Sequence, residues 1–140
     1  MAQMIIDFEV PEHNILKLGK VFDLDTIDTD QYELIVLTDI SGLNKDLLNI
    51  VDSTITSKEA TTYTRPLVEL TLVHDDGYKV TASAIEIILN DVTNIKGLLI
   101  VKKSSQDILA SCLSMSNVVV AESFTVSPQI PLIHTKLGDN

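Results

Sequence analysis

Short apolar runs with a period near two, separated by polar or Gly/Pro punctuation, dominate this chain. Residues 15–22 (ILKLGKVF) and 32–38 (YELIVLT) are rich in Ile, Leu and Val and read as strands. Residues 67–74 (LVELTLVH) place Val68, Leu70 and Leu72 on one face, which a strand turns to the core. Pro66 has no N–H to give a ladder, so this strand begins at Leu67 or lies at an edge. A hairpin follows at Asp75-Asp76-Gly77. A two-residue loop would set Leu72 opposite Thr81. A three-residue loop with Gly77 left-handed sets Leu72 opposite Val80 and Leu70 opposite Ala82, and this register matches apolar with apolar. Parity then changes between Val80, Ala82, Ala84 and Ile85, Ile87, Leu89, which predicts a bulge near Ser83–Ala84 or a strand that switches sheets.

Residues 97–101 (GLLIV) are continuously apolar, as expected of a strand buried on both faces. Residues 107–113 and 118–126 read as further strands, and 132–135 as a last short one beyond Pro128 and Pro131. Helical spacing appears once, in residues 41–52, where Ser41 can cap and Leu43, Leu47, Ile50 and Val51 recur; the short helix is placed at about 43–52. Residues 53–62 read as a Ser/Thr-rich loop. Eight or nine short strands and one short helix predict an all-β, antiparallel β-sandwich or jelly-roll-like fold. At 140 residues the chain is expected to form a single domain over 1–140. Residues 1–14, with Met4, Ile5, Ile6, Phe8 and Val10 among acids, read as a frayed or edge strand or a docking arm.

Composition narrows the function classes. With 20 acidic and 10 basic residues the net charge is -10. Nucleic-acid affinity comes from Lys and Arg displacing counterions, so neither nucleic acid nor an anionic membrane is an expected partner. With no Trp, three Tyr and three Phe, base-stacking platforms are scarce. The mean hydropathy of +0.25 is high for so acidic a chain, which points to apolar surface meeting a partner. Cys112 stands alone, so it makes no internal disulfide or thiolate cluster, and reads as a small core residue of a protein made in a reducing compartment. The acidic first dozen residues do not read as a signal peptide.

The search for reactive constellations yields no catalytic, cofactor-binding or metal residues. Asp23, Asp25, Asp28 and Asp30 invite a calcium reading, but counting from Asp23 the EF-hand positions 5 and 6 fall on Ile27 and Asp28, so a solvated acidic turn is expected. His13, His74 and His134 are far apart, and no His-x-His pair of the cupin type is present. No Ser sits in a Gly-x-Ser-x-Gly elbow, and the five glycines are isolated from one another. Glu59 and Arg65 flank Tyr63 closely enough to form a structural ion pair, and Glu86 lies in an apolar run. A carbohydrate-binding sandwich would need an exposed ring, for which only Tyr32, Tyr63 and Tyr78 could serve.

The segment 59–112 resembles small virion structural proteins of tailed bacteriophages. The resemblance rests on a short helix (LNKDLLNIVD), then the loop Glu59-Ala60-Thr61-Thr62-Tyr63-Thr64-Arg65, an alternating hairpin, GLLIVKK and DILASCL. Such chains often carry Gly where this one has Thr62, and a Gly-rich closing hairpin where this one has Ser127-Pro128. The resemblance implies an all-β, non-enzymatic virion component assembled in the host bacterial cytoplasm. The expected role is a head-decoration protein binding the major capsid protein as a homo-oligomer, a trimer. A tail, neck or fibre-adaptor protein is the alternative. It transfers no functional residues and implies no cofactor.

Overall fold

In the run Tyr32–Leu37 every residue is buried, which requires a strand covered on both faces. The computed structural model meets that requirement with an all-β, sandwich-like fold. It describes residues 2–10, 31–43, 53–74, 78–113, 115, 118–120, 123–129 and 133–135. The elements in chain order are β1 (Ala2–Ile6), β2 (Tyr32–Leu37), α1 (Ser53–Thr56), β3 (Leu67–Val68), β4 (Leu70–His74), β5 (Tyr78–Ala82), β6 (Ile85–Ile87), β7 (Thr93–Ile95), β8 (Gly97–Lys102), β9 (Ile108–Cys112), β10 (Val118–Val120), β11 (Phe124–Pro128) and β12 (Ile133–Thr135).

The central sheet has the order β3-β2-β8-β9 and is antiparallel throughout. One face packs Tyr32, Leu34, Val36, Leu98, Ile100, Ala110 and Cys112 into the larger core. The opposing layer supplies Ile6, Ile85, Ile87, Phe124 and Val126 from the sheet β1-β11-β6. The other face carries Ile35, Leu37, Leu99, Val101 and Ile108, covered by Ile55 of α1 with Ile40, Leu43 and Leu113. Period-two alternation thus divides each central strand between two cores. The β8–β9 register slips between Ile100 and Val101: Ile100 faces Ala110 while Val101 faces Ile108. The extra residue, Leu109, joins its neighbour Ala110 in the larger core, as a bulge allows.

Most strand expectations hold. β4 and β5 pair Leu70 with Ala82, Leu72 with Val80 and His74 with Tyr78, the register of a three-residue loop. The loop itself, 75–77 with Gly77, lies outside the described residues. At Ser83–Ala84 the chain leaves the β12-β5-β4 sheet and enters β1-β11-β6, so the parity change marks a switch of sheets. Pro66 is followed at once by β3, which is an edge strand. Gly97–Val101 is buried on both faces, and Cys112 sits in the larger core.

Three details differ from the sequence reading. The run 118–126 is divided between β10, which pairs with β7, and β11, which pairs with β6 and β1. Residues 53–56, read as loop, form one helical turn that buries Ile55, an apolar contact that local Ser/Thr propensity did not reveal. One ladder, β1 with β11, is parallel. The expected strand at 15–22, the acidic turn at 23–30 and the expected helix from residue 44 to 52 lie outside the described residues.

Candidate functional site

Beyond Glu33, where pairing with Leu67 of β3 stops, the outer edge of β2 has no regular strand beside it, and its backbone groups need other partners. The loop 58–66 supplies them. Leu34 N–H donates to the Pro66 carbonyl at 3.0 Å, Ala60 N–H to the Val36 carbonyl at 2.9 Å, and Thr38 N–H to the Lys58 carbonyl at 2.8 Å. Between these, Val36 N–H donates to the Tyr63 hydroxyl at 2.7 Å. A side chain therefore stands where a neighbouring strand would place a carbonyl.

The Tyr63 hydroxyl in turn donates to Glu59 Oε2 at 2.6 Å. Arg65 grips the same carboxylate as a fork, Nε to Oε2 at 2.8 Å and Nη2 to Oε1 at 2.7 Å. The planar guanidinium matches a carboxylate in this way, which an ammonium cannot. Its Nη1 reaches across to Glu33 Oε1 at 2.7 Å and to Gln106 Oε1 at 2.8 Å. Gln106 Nε2 donates to Glu33 Oε1 at 3.1 Å and to the Lys103 carbonyl at 3.0 Å. Five side chains from the edge loop, β2 and the β8–β9 turn are thus joined in one network.

Its electrostatics follow from partial burial. Burial pushes the Glu59 carboxyl up, but the hydrogen bonds from Arg65 and Tyr63 and the Arg65 charge outweigh it, so Glu59 lies below its ordinary value. The Tyr63 hydroxyl is pushed well above its usual range, by burial first and then by its bond to Glu59. Arg65 is raised, chiefly by its bond to Glu59, and stays protonated. Two carboxylates face one guanidinium, and the guanidinium's Nε, Nη1 and Nη2 are all engaged by neighbours, so the cluster presents an anion with little to bind. The arrangement holds a strand edge closed. An open groove beside it is lined by Thr64, Arg65, Pro66, Glu86, Ile88 and Asn90.

The expected Glu59–Arg65 pair is present. Glu33 and Gln106 were missed. Glu33 carried a signal: a carboxylate inside a strand buried on both faces must find a cation or a donor. Gln106 had none, because its role depends on a turn brought beside the loop by β8–β9 pairing. It adopts φ 62°, a left-handed conformation uncommon outside glycine. Glu86 lies exposed in β6.

Among the described residues, no group of three or more His, Cys, Asp or Glu is placed to hold a metal ion. His74 and His134 fall in adjacent rows of the β12-β5-β4 sheet, opposite Tyr78 and Lys79 respectively, while His13 lies outside the described residues. Tyr32 is fully buried and Tyr63 packs against the core, so neither offers an exposed ring to a sugar. The large apolar residues left exposed include Ile5, Ile88, Val92 and Val119. Val119 lies opposite Asn94, two residues from Val92, on the β7–β10 ribbon. No helix among the described residues is long and apolar enough to cross a membrane. No protein-family model, curated protein or solved structure matches this chain.

Proposed function

We propose that this chain is a non-enzymatic structural component of a tailed-bacteriophage virion, a head-decoration protein that binds the capsid lattice as a homotrimer. The observation that carries the reading is the Glu59–Arg65 loop, the segment on which the resemblance rests. Its Glu, Tyr and Arg are spent on closing the edge of β2 and on one another. Side chains so engaged suit a scaffold, because a nucleophile or general base must be free to meet a substrate. Exposed apolar residues on a chain of net charge -10 fit a surface that meets protein and avoids nucleic acid. Closed rotational symmetry is the usual way to bury such patches.

The test is to mix the purified chain with undecorated capsids and follow co-sedimentation and particle symmetry by electron microscopy. Saturable density at local three-fold positions is expected. Purified capsids that stay bare under assembly conditions overturn the reading, and density in a ring or shaft at the neck or tail transfers the role to an adaptor.

A further inference from the structure

One edge of β6 is held by β11, and the other is held only at its end. Gln129 N–H donates to the Ile6 carbonyl, so Gln129, Ser127 and Thr125 turn their backbone groups toward β1. Phe124 and Val126 then turn theirs toward Ile87 and Ile85 of β6. Burial alternates without a break from Ile85 to Asn90, so this stretch is extended throughout. The backbone groups of Glu86, Ile88 and Asn90 therefore face away from β11. On that side Asn90 N–H donates to the Thr62 carbonyl at 2.7 Å, and Tyr63 bridges to Leu89. Continued, this register would set Thr64 opposite Ile88 and Pro66 opposite Glu86. It stops because Pro66 has no N–H and its carbonyl accepts from Leu34 of β2.

The loop thus peels away from β6 and leaves a groove of about 350 Å³, walled by Glu86, Ile88 and Asn90 on one side and by Thr64, Arg65 and Pro66 on the other. Two backbone donors and two acceptors, at Glu86 and Ile88, face this side with no partner among the described residues. An unpaired edge of this kind is a template for another strand. The side chains beside it set what that strand should carry. Ile88 is 62% exposed, Glu86 is exposed on the same face, and among the described residues no cation pairs with Glu86. Across the groove Arg65 does not compete for it, because Glu59 and Glu33 already engage the guanidinium and leave that wall negative. Opposite charges and apolar pairs are the favourable cross-strand neighbours.

We propose that the outer edge of β6 docks an extended peptide segment by strand addition, with a Lys or Arg beside Glu86 and an aliphatic side chain, two residues away, beside Ile88. Such a site is independent of the virion assignment.

Amide hydrogen exchange in the unaltered chain is the first test. The Glu86 and Ile88 amides are expected to exchange about tenfold or more faster than those of Ile85 and Ile87, which β11 holds. Equal protection would mean that the edge is already closed and overturns the proposal. The second test screens the full chain against a library of seven-residue peptides, Thr throughout except at the third and fifth positions, which carry every amino acid. At about 0.15 M salt, charges more than about 8 Å away are screened. Selected peptides are expected to hold Lys or Arg at one varied position and Val, Ile or Leu at the other, and Glu86→Lys is expected to shift the choice to Asp or Glu. No selection overturns the proposal. So does a selection that Glu86→Lys leaves unchanged, which would reflect only the net charge of -10. N-methylation of a selected peptide then separates strand addition from side-chain contact. Methyl groups on alternate amides are expected to weaken binding about tenfold or more in one phase and to leave it nearly unchanged in the other. Equal losses in both phases are equally fatal.

Discussion

The Tyr63 hydroxyl accepts a backbone N–H from Val36 and donates to Glu59, so removing one oxygen leaves a backbone donor and a carboxylate short of partners. Leaving a buried donor unsatisfied costs about 1–3 kcal/mol. Tyr63→Phe is therefore expected to lower unfolding stability by about that amount in a denaturant titration; a change below about 0.5 kcal/mol would place it among ordinary surface substitutions and remove the edge-closing role. Gln106 offers a sharper contrast, because its side chain bonds Arg65, Glu33 and Lys103 while its backbone is left-handed. Gln106→Ala loses the bonds and keeps the strain; Gln106→Gly loses the bonds and relieves it. With left-handed backbone costing roughly 1–2 kcal/mol at a residue with a Cβ, the Gly variant is expected to be the more stable of the two by about 1 kcal/mol. Equal stabilities would mean that the turn stores no strain.

At the scale of elements, the central strands are set by what lies on both sides of them. Gly97 opens β8 where the chain passes close to its neighbours: a Cβ there would lie 2.8 Å from Ile40 Cγ2, 3.2 Å from the Cys112 carbonyl and 3.3 Å from Leu113 Cδ2. One of those contacts is backbone of the paired strand β9 and cannot rotate away. Gly97→Ala is expected to destabilise the fold by about 1–3 kcal/mol, the usual cost of overpacking, read as a lowered melting temperature. An unchanged melting temperature would show that Ile40 and Leu113 yield without cost. The β8–β9 bulge at Leu109 and the loop 58–66 along β2 have the same consequence for the sheet: each edge or register fault is met by a particular contact instead of another strand.

For the whole molecule, the excess of acid makes pH the natural variable. Folding holds the Glu59 carboxyl below its value of 4.5 in the open chain. The ionised form therefore favours the folded state. That contribution is fully present above about pH 4.5 and is lost as pH falls through the lower, folded value. Glu59→Gln, which keeps the shape and loses the charge, is expected to be less stable than the parent at pH 7, and the gap should narrow as the pH is lowered below 4.5. A gap that stays constant down to pH 2.5, measured by denaturant midpoints at each pH, would show that the Glu59 charge contributes nothing to the fold.

Local pattern was enough to reveal much of this protein. Alternation in 67–74 and 78–82, the unbroken GLLIV run and the apolar match across Asp75–Gly77 specified strands, their inward faces and even the hairpin register, because a period of two and a short turn are properties of neighbouring residues. The Glu59–Arg65 pair was legible for the same reason, its members being six residues apart. Partnerships between distant segments were decided only by the tertiary structure. Nothing local tells Ala2–Ile6 to run parallel to Phe124–Pro128, divides Val118–Val120 from the strand that follows, or brings Gln106 to Glu33 across 73 residues. Many pairings satisfy the same alternation, and the choice among them falls to the one packing that fills both cores and leaves the fewest backbone groups without partners.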